Sequence, residues 1–259
     1  MNSPTAAIAV GVSLLLGGMS ASAQEPVAPA HEGFKLPTAG ARQLILVVTP
    51  GWDDLAGTIR TFERSGEETQ WLEVHGEHEM TLGAAGLAWG TGLHMIGSGT
   101  RPAKREGDER SPAGVFSLEF LYGYAPEEEA ERFSMPYLSL DSTDECIDDP
   151  SSMYYNMIVD RRNVSRVDWK SSERMRFSGK YYEWGIVVSH NMDPRTPGAG
   201  SCIFLHVWGG NDASTTGCTS LDREGLLDIM EWLSPSAHPV LVQLPQSEYE
   251  SRRAEWNLP

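Results

Sequence analysis

A histidine and a cysteine are spaced in this sequence as a nucleophile and its base would be. His206 lies near the end of the apolar run 201–208, and Cys218 follows Gly217 after a loop that starts with Gly-Gly-Asn-Asp. A thiolate attacks carbonyl carbon, and an imidazole within hydrogen-bond reach generates or holds that thiolate. Gly217 would let a carbonyl substrate approach the backbone, whose N–H groups at residues 216–218 would face an oxyanion. The spacing predicts that Cys218 is a nucleophile activated by His206.

Either residue alone has a plainer interpretation. A single histidine at a strand end is usually a hydrogen-bonded structural residue, and a single cysteine is usually a small buried hydrophobe. The pair, with eleven residues between its members and a glycine before the cysteine, favours catalysis. His75 and His78 also lie close together in the sequence, but a metal needs more ligands than two, so no metal site is predicted.

Short apolar runs bounded by turn residues predict the strands that position this pair. Runs of strand length occupy residues 43–49, 113–121, 182–190, 201–208 and 239–244. Residues 222–233 predict a helix, because apolar residues recur on one face and Pro235 stops it. Helical spacing also predicts a helix over 53–64, and alternation predicts a hairpin of 70–75 with 79–82. We expect a mainly β fold with a few helices (α+β), in a single domain of mixed β-sheets.

The composition is that of a globular and strongly acidic protein. Of the 259 residues, 40% are hydrophobic and 22% are charged, which excludes wholesale disorder. The 36 acidic side chains outnumber the 20 basic ones and give a net charge of −16. Binding to nucleic acid needs clustered Lys and Arg, and an anionic membrane surface would repel this chain, so neither partner is expected.

The N-terminal residues predict export. Residues 6–18 form an uncharged apolar run, too short for a membrane span of about 20 residues. Ala21 and Ala23 then supply the small-x-small pattern that a signal peptidase reads. We expect residues 1–23 to be a cleaved signal peptide, so that the mature protein has no stable membrane insertion. An uncleaved membrane anchor is the alternative.

The rest of the chain divides into three parts by composition. Residues 24–40 are rich in Pro and Ala and predict a linker. Residues 41–245 contain all the predicted strands and form the expected catalytic domain. Residues 246–259 are polar and are expected to be a peripheral C-terminal tail.

Several segments together resemble one enzyme family. Residues 200–221, which contain a Thr-x-Gly-Cys motif, and residues 104–108 (KREGD) and 111–116 (SPAGVF) resemble the L,D-transpeptidase catalytic domain of the YkuD type. Residues 189–191 (SHN) are similar to a periplasmic branch of that family. The similarity covers nearly all of residues 42–244. It implies a mainly β L,D-transpeptidase-like domain, a location in the periplasm and peptidoglycan stem peptides as the partner.

The resemblance implies acyl transfer without a metal or a cofactor. Cys218 would attack the carbonyl of the L-configured centre of meso-diaminopimelate in a tetrapeptide stem. The terminal D-alanine would leave, and a thioester would remain on the enzyme. An amine on a second stem would then resolve the thioester and form a crosslink. His206 would act first as base and then as acid, with Gly217 shaping the turn before the nucleophile.

Five further side chains are expected to contact the substrate. His190 and Asn191 lie at the end of the strand before His206, and would line the same cleft if the two strands pair. Lys104 would grip a stem-peptide carboxylate. Thr215 and Thr216 lie in the turn just before the nucleophile. A structural histidine and a solvated basic loop are the alternatives for His190 and Lys104.

Departures from the family pattern leave the acceptor open. Thr216 stands where many members have a second histidine, and Thr219 and Ser220 stand where many have Arg or Asn. Water as acceptor would make the protein an L,D-carboxypeptidase. An amidase that cuts a link between a wall peptide and an anchored protein, and a non-catalytic cell-wall binding module, are further alternatives.

The three cysteines are expected to divide into a disulfide and one free thiol. Cys146 lies in an acidic stretch that would raise the pKa of its thiol and make it a poor nucleophile. Cys202 lies four residues before His206 on the same predicted strand. We predict a Cys146–Cys202 disulfide and a reduced Cys218. The competing pairings would consume Cys218 and leave an inactive or redox-switched enzyme.

Overall fold

β-Strands dominate the residues that the structure, a computed structural model, describes, which are 36–95 and 102–259. This part of the chain holds fourteen strands and two α-helices, which confirms the prediction of a mainly β fold with few helices. The strands are β1 (Gln43–Thr49), β2 (Ala56–Glu63), β3 (Leu72–Glu73), β4 (His78–Thr81), β5 (Leu87–Trp89), β6 (Ser111–Gly123), β7 (Tyr137–Ser139), β8 (Asp144–Cys146), β9 (Ile158–Asp160), β10 (Glu173–Arg174), β11 (Trp184–Val188), β12 (Phe204–Val207), β13 (Thr219–Leu221) and β14 (Val240–Pro245). The helices are α1 (Arg223–Trp232) and α2 (Gln246–Arg252).

Eight of the strands form a sheet that closes on itself. Their order is β1-β14-β6-β11-β12-β13-β4-β2, and β2 pairs back to β1. The pairs β1–β14 and β12–β13 are parallel, whereas the other pairs of the ring are antiparallel, so the sheet is mixed as predicted. Closure leaves these strands without a free edge at which other chains could pair. β3 continues beside β2, while β5 and β7 pair with β6.

Apolar strands and α1 form the main hydrophobic core. β14 is buried at every position and β1 at all but one, as expected of apolar runs covered on both faces. α1 contributes Leu226, Ile229 and Met230, which are at most 1% exposed. The Asp222 carboxylate caps this helix by accepting a hydrogen bond from the Gly225 N–H at 2.8 Å. The helix predicted over residues 222–233 is therefore confirmed.

A second sheet lies in the excursion between β7 and β11. Its order is β10-β8-β9, with Cys146 of β8 opposite Glu173 of β10. A disulfide joins Cys146 to Cys202, which lies two residues before β12, with the Cα atoms 5.9 Å apart. Cys218 is free, so the predicted division of the cysteines is confirmed. The disulfide ties the small sheet to the strand that carries His206.

The helix predicted over residues 53–64 is wrong. This segment contains β2, which pairs with β1 on one edge and with β4 on the other. Ile59 and Phe62 recur at helical spacing, but the β-branched residues Thr58, Ile59 and Thr61 also favour a strand. Two neighbouring strands supply backbone partners, so tertiary pairing overrides the local pattern.

The predicted hairpin of residues 70–75 with 79–82 is also wrong. Its two strands, β3 and β4, both pair with β2: β3 beside Phe62 and β4 beside Ile59. Each of the two runs therefore pairs with β2 and not with the other run.

The C-terminal residues 246–259 differ from the polar, peripheral tail that was expected. They contain α2 and bury Trp256, which is only 2% exposed, together with Tyr249 and Leu258. The Thr38 hydroxyl donates a hydrogen bond to the Trp256 carbonyl oxygen at 2.6 Å, so the end of the predicted linker also packs against the domain. Burial of a tryptophan removes a large apolar surface from water, which outweighs the polar character of its neighbours.

The predicted signal peptide, residues 1–23, and residues 24–35 of the predicted linker lie outside the described residues. Within 36–95 and 102–259, no helix has the length and the apolar character needed to cross a membrane.

Candidate active site

Cys218 lies immediately before β13, at the end of a tightly held turn. Gly217 adopts a φ of 152°, which side chains rarely allow, and a Cβ there would lie 3.2 Å from the Arg110 carbonyl oxygen. The carbonyl oxygen of Cys218 accepts hydrogen bonds from the Ser111 hydroxyl at 2.8 Å and from the Thr215 hydroxyl at 2.6 Å. The Thr215 hydroxyl oxygen also accepts from the Gly217 N–H at 3.1 Å. The turn thus fixes the backbone of the candidate nucleophile.

His206 is presented by the neighbouring strand. β12 and β13 run parallel, with His206 opposite Ser220, so the imidazole and Cys218 come to the same end of the sheet. The ring Nδ1 donates to the Val207 carbonyl oxygen at 2.8 Å, which leaves Nε2 with its lone pair. Burial lowers the pKa of His206 to about 4, so the ring is neutral at physiological pH. A neutral imidazole with a free Nε2 is able to accept a proton.

The thiol of Cys218 is buried and protonated. Cys218 is only 4% exposed, and its thiol donates a hydrogen bond to the Cys202 carbonyl oxygen at 3.5 Å. Burial raises the pKa of the Cys218 thiol far above its usual range, and the negative charge of Glu173 raises it further. The hydrogen bonds of the described residues do not include one between His206 and Cys218. Direct proton transfer between these two side chains would therefore require a rearrangement, and catalytic contacts often form only when a substrate binds.

Two cavities meet at Cys218. The larger, of about 590 Å³, is lined by both Cys218 and His206, and aromatic rings of Phe177, Tyr181 and Tyr182 form part of its wall. The smaller, of about 260 Å³, is polar. Its lining includes Lys104, Glu106, Asp148, Glu173 and Ser201. Cys218 therefore lies where a ligand could approach it from either cavity.

The structure brings some of the predicted substrate contacts to these cavities. Thr216 lines both cavities and Thr215 lines the larger, although the Thr215 hydroxyl is already engaged within the turn. Lys104 lines the smaller cavity, where its ammonium donates to the Asp108 carboxylate at 2.6 Å and to the Arg105 carbonyl oxygen at 2.7 Å. Lys104 is 8% exposed, so it is a buried ion-paired residue and not part of a solvated loop.

His190 and Asn191 line neither cavity, in contrast to the expectation that they contact substrate. The His190 ring accepts from the Thr91 N–H at 3.2 Å and donates to the Ala199 carbonyl oxygen at 3.0 Å, which uses both nitrogens. The Asn191 amide donates to the carbonyl oxygens of Thr196 and Gly200 at 2.9 Å. Both side chains hold the loop that leads to Ser201, because buried polar groups need such partners. This loop contributes Ser201 to the lining of the smaller cavity.

Sequence reasoning missed Glu173 and Tyr182. The Tyr182 hydroxyl donates to the Glu173 carboxylate at 2.7 Å, and the Tyr182 ring meets the His206 ring edge-on with centroids 5.2 Å apart. Burial raises the pKa of Glu173 to about 7, and the charges of Asp148 and Glu106 act in the same direction. Glu173 lies on a two-residue strand in a charged stretch, forty-five positions before Cys218. No motif or periodicity in the sequence singles it out.

A metal site is not formed by the described residues. Among residues 36–95 and 102–259, no three His, Cys, Asp or Glu side chains are grouped so that they could hold a metal ion. His75 contacts the Thr61 hydroxyl at 3.0 Å, and His78 lies 3.5 Å from the Asp222 carboxylate. These two histidines therefore have different protein partners.

Comparison with protein-family models, with curated proteins and with solved structures finds no match to this chain.

Proposed function

We propose that this protein is an L,D-transpeptidase, a cysteine acyltransferase that acts on peptidoglycan stem peptides in the periplasm. The observation that carries the proposal is that Cys218 and His206 line one cavity of about 590 Å³, at a turn that requires glycine before the cysteine. A thiol and a neutral imidazole at the wall of a substrate-sized cavity suit acyl transfer. The resemblance of the sequence to that family supplies the substrate class.

The first half-reaction forms a thioester on Cys218. His206 Nε2 takes the thiol proton as the sulfur attacks the carbonyl at the L-centre of meso-diaminopimelate. The Gly217 N–H already donates to the Thr215 hydroxyl, so it is not available to the oxyanion. The N–H groups of Thr216 and Cys218 would therefore stabilise the developing oxyanion. The imidazolium then gives its proton to the leaving amine of D-alanine.

Because Cys218 is buried, we expect the bound substrate to take part in activating the thiol. A resting thiol with a strongly raised pKa does not react at random with electrophiles. A bound stem peptide displaces water from the larger cavity and brings its carbonyl to the sulfur, so that proton transfer to His206 and attack occur together. The enzyme would therefore be activated by its own donor.

The test is mass spectrometry of the purified protein with a disaccharide tetrapeptide or a carbapenem, a class of compound that acylates enzymes of this family. We expect one acyl group on Cys218, release of D-alanine from the tetrapeptide, and neither event in Cys218→Ala. An adduct on another residue, or no adduct on a folded protein, would overturn the assignment.

A non-catalytic cell-wall binding module is the second candidate. The deep burial of Cys218 and its hydrogen bond to Cys202 favour it, because both hold the thiol in an unreactive form. Such a module would bind stem peptides with equal affinity in the wild type and in Cys218→Ala, and would release no D-alanine. If the thioester forms, product analysis with and without an added amine distinguishes a transpeptidase from an L,D-carboxypeptidase or an amidase.

A further inference from the structure

The smaller cavity at Cys218 has an excess of negative charge. Glu106, Asp148 and Glu173 supply three carboxylates, and the single lysine, Lys104, is already paired with Asp108 outside the lining. A cavity with unbalanced carboxylates attracts a cationic group. This charge is opposite to the one expected for a site that grips a stem-peptide carboxylate.

Asp148, which lines this cavity, has one carboxylate oxygen without a partner among the described residues. Oδ1 of Asp148 is buried and makes no hydrogen bond with the described residues. Glu106, in contrast, accepts hydrogen bonds from the hydroxyls of Tyr155 and Ser201. A buried acceptor without a donor is costly, so the Asp148 carboxylate adds unbalanced negative charge beside this cavity.

Of these three carboxylates, Glu173 is the one that lines both cavities. Cys218 and Thr216 also line both cavities. The negative charge of Glu173 raises the pKa of the Cys218 thiol. The Tyr182 hydroxyl holds its Oε2, and the disulfide-linked strand β8 holds its backbone opposite Cys146. Glu173 is thus fixed beside the atom that a second substrate must approach.

We propose that Glu173 is the general base of the second half-reaction, and that the smaller cavity receives the ammonium end of the acceptor. The proposal rests on the proposed function, since it concerns the resolution of a thioester on Cys218. The donor occupies the larger cavity with His206, and the acceptor enters through the smaller cavity, which Cys218 also lines. Separate bases would then serve the two half-reactions.

The chemical step balances as follows. The acceptor ammonium gives one proton to the Glu173 carboxylate, and the resulting amine attacks the thioester carbonyl carbon. The new C–N bond forms as the C–S bond breaks, and the second amine proton passes through His206 to the departing Cys218 sulfur. Glu173 then loses its proton to solvent, and the enzyme returns to its starting state.

The surroundings of Glu173 suit a base that works near neutral pH. Burial raises its pKa to about 7, and the neighbouring charges of Asp148 and Glu106 add to the rise. The Tyr182 hydrogen bond acts in the opposite direction. Cys218 is a neutral thiol in the resting state, and the Lys104 ammonium is held by Asp108. A base is most effective when its pKa lies near the working pH.

The test compares Glu173→Gln with the wild type and with Glu119→Gln, a matched change at an exposed position on β6. Each protein is first acylated with the tetrapeptide donor, and release of the acyl group to free meso-diaminopimelate is followed by mass spectrometry. We expect amine-dependent release, measured per acylated enzyme, to be slower by about 10²-fold or more in Glu173→Gln only. Hydroxylamine, which is already unprotonated at neutral pH, should release the acyl group equally from all three proteins.

The outcomes separate this inference from the proposed function. Absence of acylation in the wild type contradicts the proposed function, whereas transfer from acylated Glu173→Gln to meso-diaminopimelate at the wild-type rate contradicts only the role of Glu173. Slower release to hydroxylamine as well would indicate a structural role and would overturn the proposal. If Glu173→Gln does not fold, Tyr182→Phe provides the second readout, because loss of its hydrogen bond should move the pH profile of amine transfer to higher pH. An unmoved profile would then contradict the proposal.

Discussion

The carbonyl oxygen of Cys202 accepts a hydrogen bond from the sulfur of Cys218 at 3.5 Å. Cys202 adopts a φ of 55° and is itself bonded to Cys146, which faces Glu173 across the small sheet. One covalent link therefore joins the residue that holds the thiol to β8, the strand that pairs with the one carrying the second candidate base. The disulfide belongs to the architecture of the site and not only to that of the fold.

Loss of this disulfide should reduce both stability and acylation. Cys146→Ser opens a link between residues 56 positions apart, which should lower the free energy of unfolding by about 2–5 kcal/mol. Urea denaturation measures the change, and the wild type under reducing conditions should show the same loss. Thiol counting on unreduced, denatured protein should find one free thiol, at Cys218. Three free thiols, or a bridge that includes Cys218, would contradict the pairing.

Removal of the imidazole should impair thioester formation. His206→Gln deletes the free Nε2 and should slow acylation of Cys218 by about 10²–10⁴-fold, the usual contribution of a general base. His75→Gln is the matched control, since His75 lines neither cavity and should leave the rate unchanged. Rapid-quench mass spectrometry of the acyl-enzyme gives both rates. An equal rate in His206→Gln would assign the proton transfer to another group, with the Tyr182–Glu173 pair as the first candidate.

A side chain at position 217 should disturb the turn before the nucleophile. Gly217→Ala places a Cβ at a φ of 152° and 3.2 Å from the Arg110 carbonyl oxygen. Such backbone strain costs about 1–3 kcal/mol, and the turn can relieve it only by moving Cys218. We expect that loss in the free energy of unfolding together with slower acylation. Gly66→Ala, where a Cβ would meet nothing within 4 Å, should leave the acylation rate unchanged.

Acid should destabilise the fold through three buried histidines. Burial lowers the pKa of His94, His190 and His206 to about 4 each, whereas an unfolded histidine titrates at about 6.5. Between these values the unfolded chain binds more protons, so stability falls as the pH falls. Glu173 acts in the opposite direction, because its folded pKa is raised and the folded state binds the extra proton.

The net effect of these groups is the uptake of about two protons on unfolding near pH 5, which corresponds to about 2–3 kcal/mol per pH unit. Urea denaturation at neutral pH and at about pH 5 measures this slope. His94→Phe, which removes one of the three histidines, should flatten it. A free energy of unfolding that stays constant over this range would contradict the neutral, buried state of the histidines.

The sequence by itself determined the features that depend on neighbouring residues in the chain. α1 follows from apolar residues at helical spacing behind the capping residue Asp222, and β1 and β14 follow from uninterrupted apolar runs. The cysteine pairing was also reached from the sequence, because the acidic surroundings of Cys146 and the motif around Cys218 distinguish the three thiols. Hydrophobic patterning and local chemistry carry such information without knowledge of the fold.

Only the tertiary structure decided what β2 is and what surrounds Cys218. The segment 53–64 has a helical pattern, yet strands on both sides supply its hydrogen bonds and make it β2. The buried side chain of Trp256 packs the polar C-terminal segment against the domain. Both outcomes depend on partners distant in the chain, which no window of sequence contains.

The site itself divides in the same way. Cys218 and His206 were recognisable from residue types and spacing, whereas Glu173 and Tyr182 reach the thiol only because the closed sheet and the disulfide bring separate segments together. The pKa values of these groups are set mainly by burial, and burial is a property of the packed molecule. The sequence thus determined which residues have the chemistry, and the tertiary structure decided their protonation and which of them meet, because desolvation and distance exist only once the chain has folded.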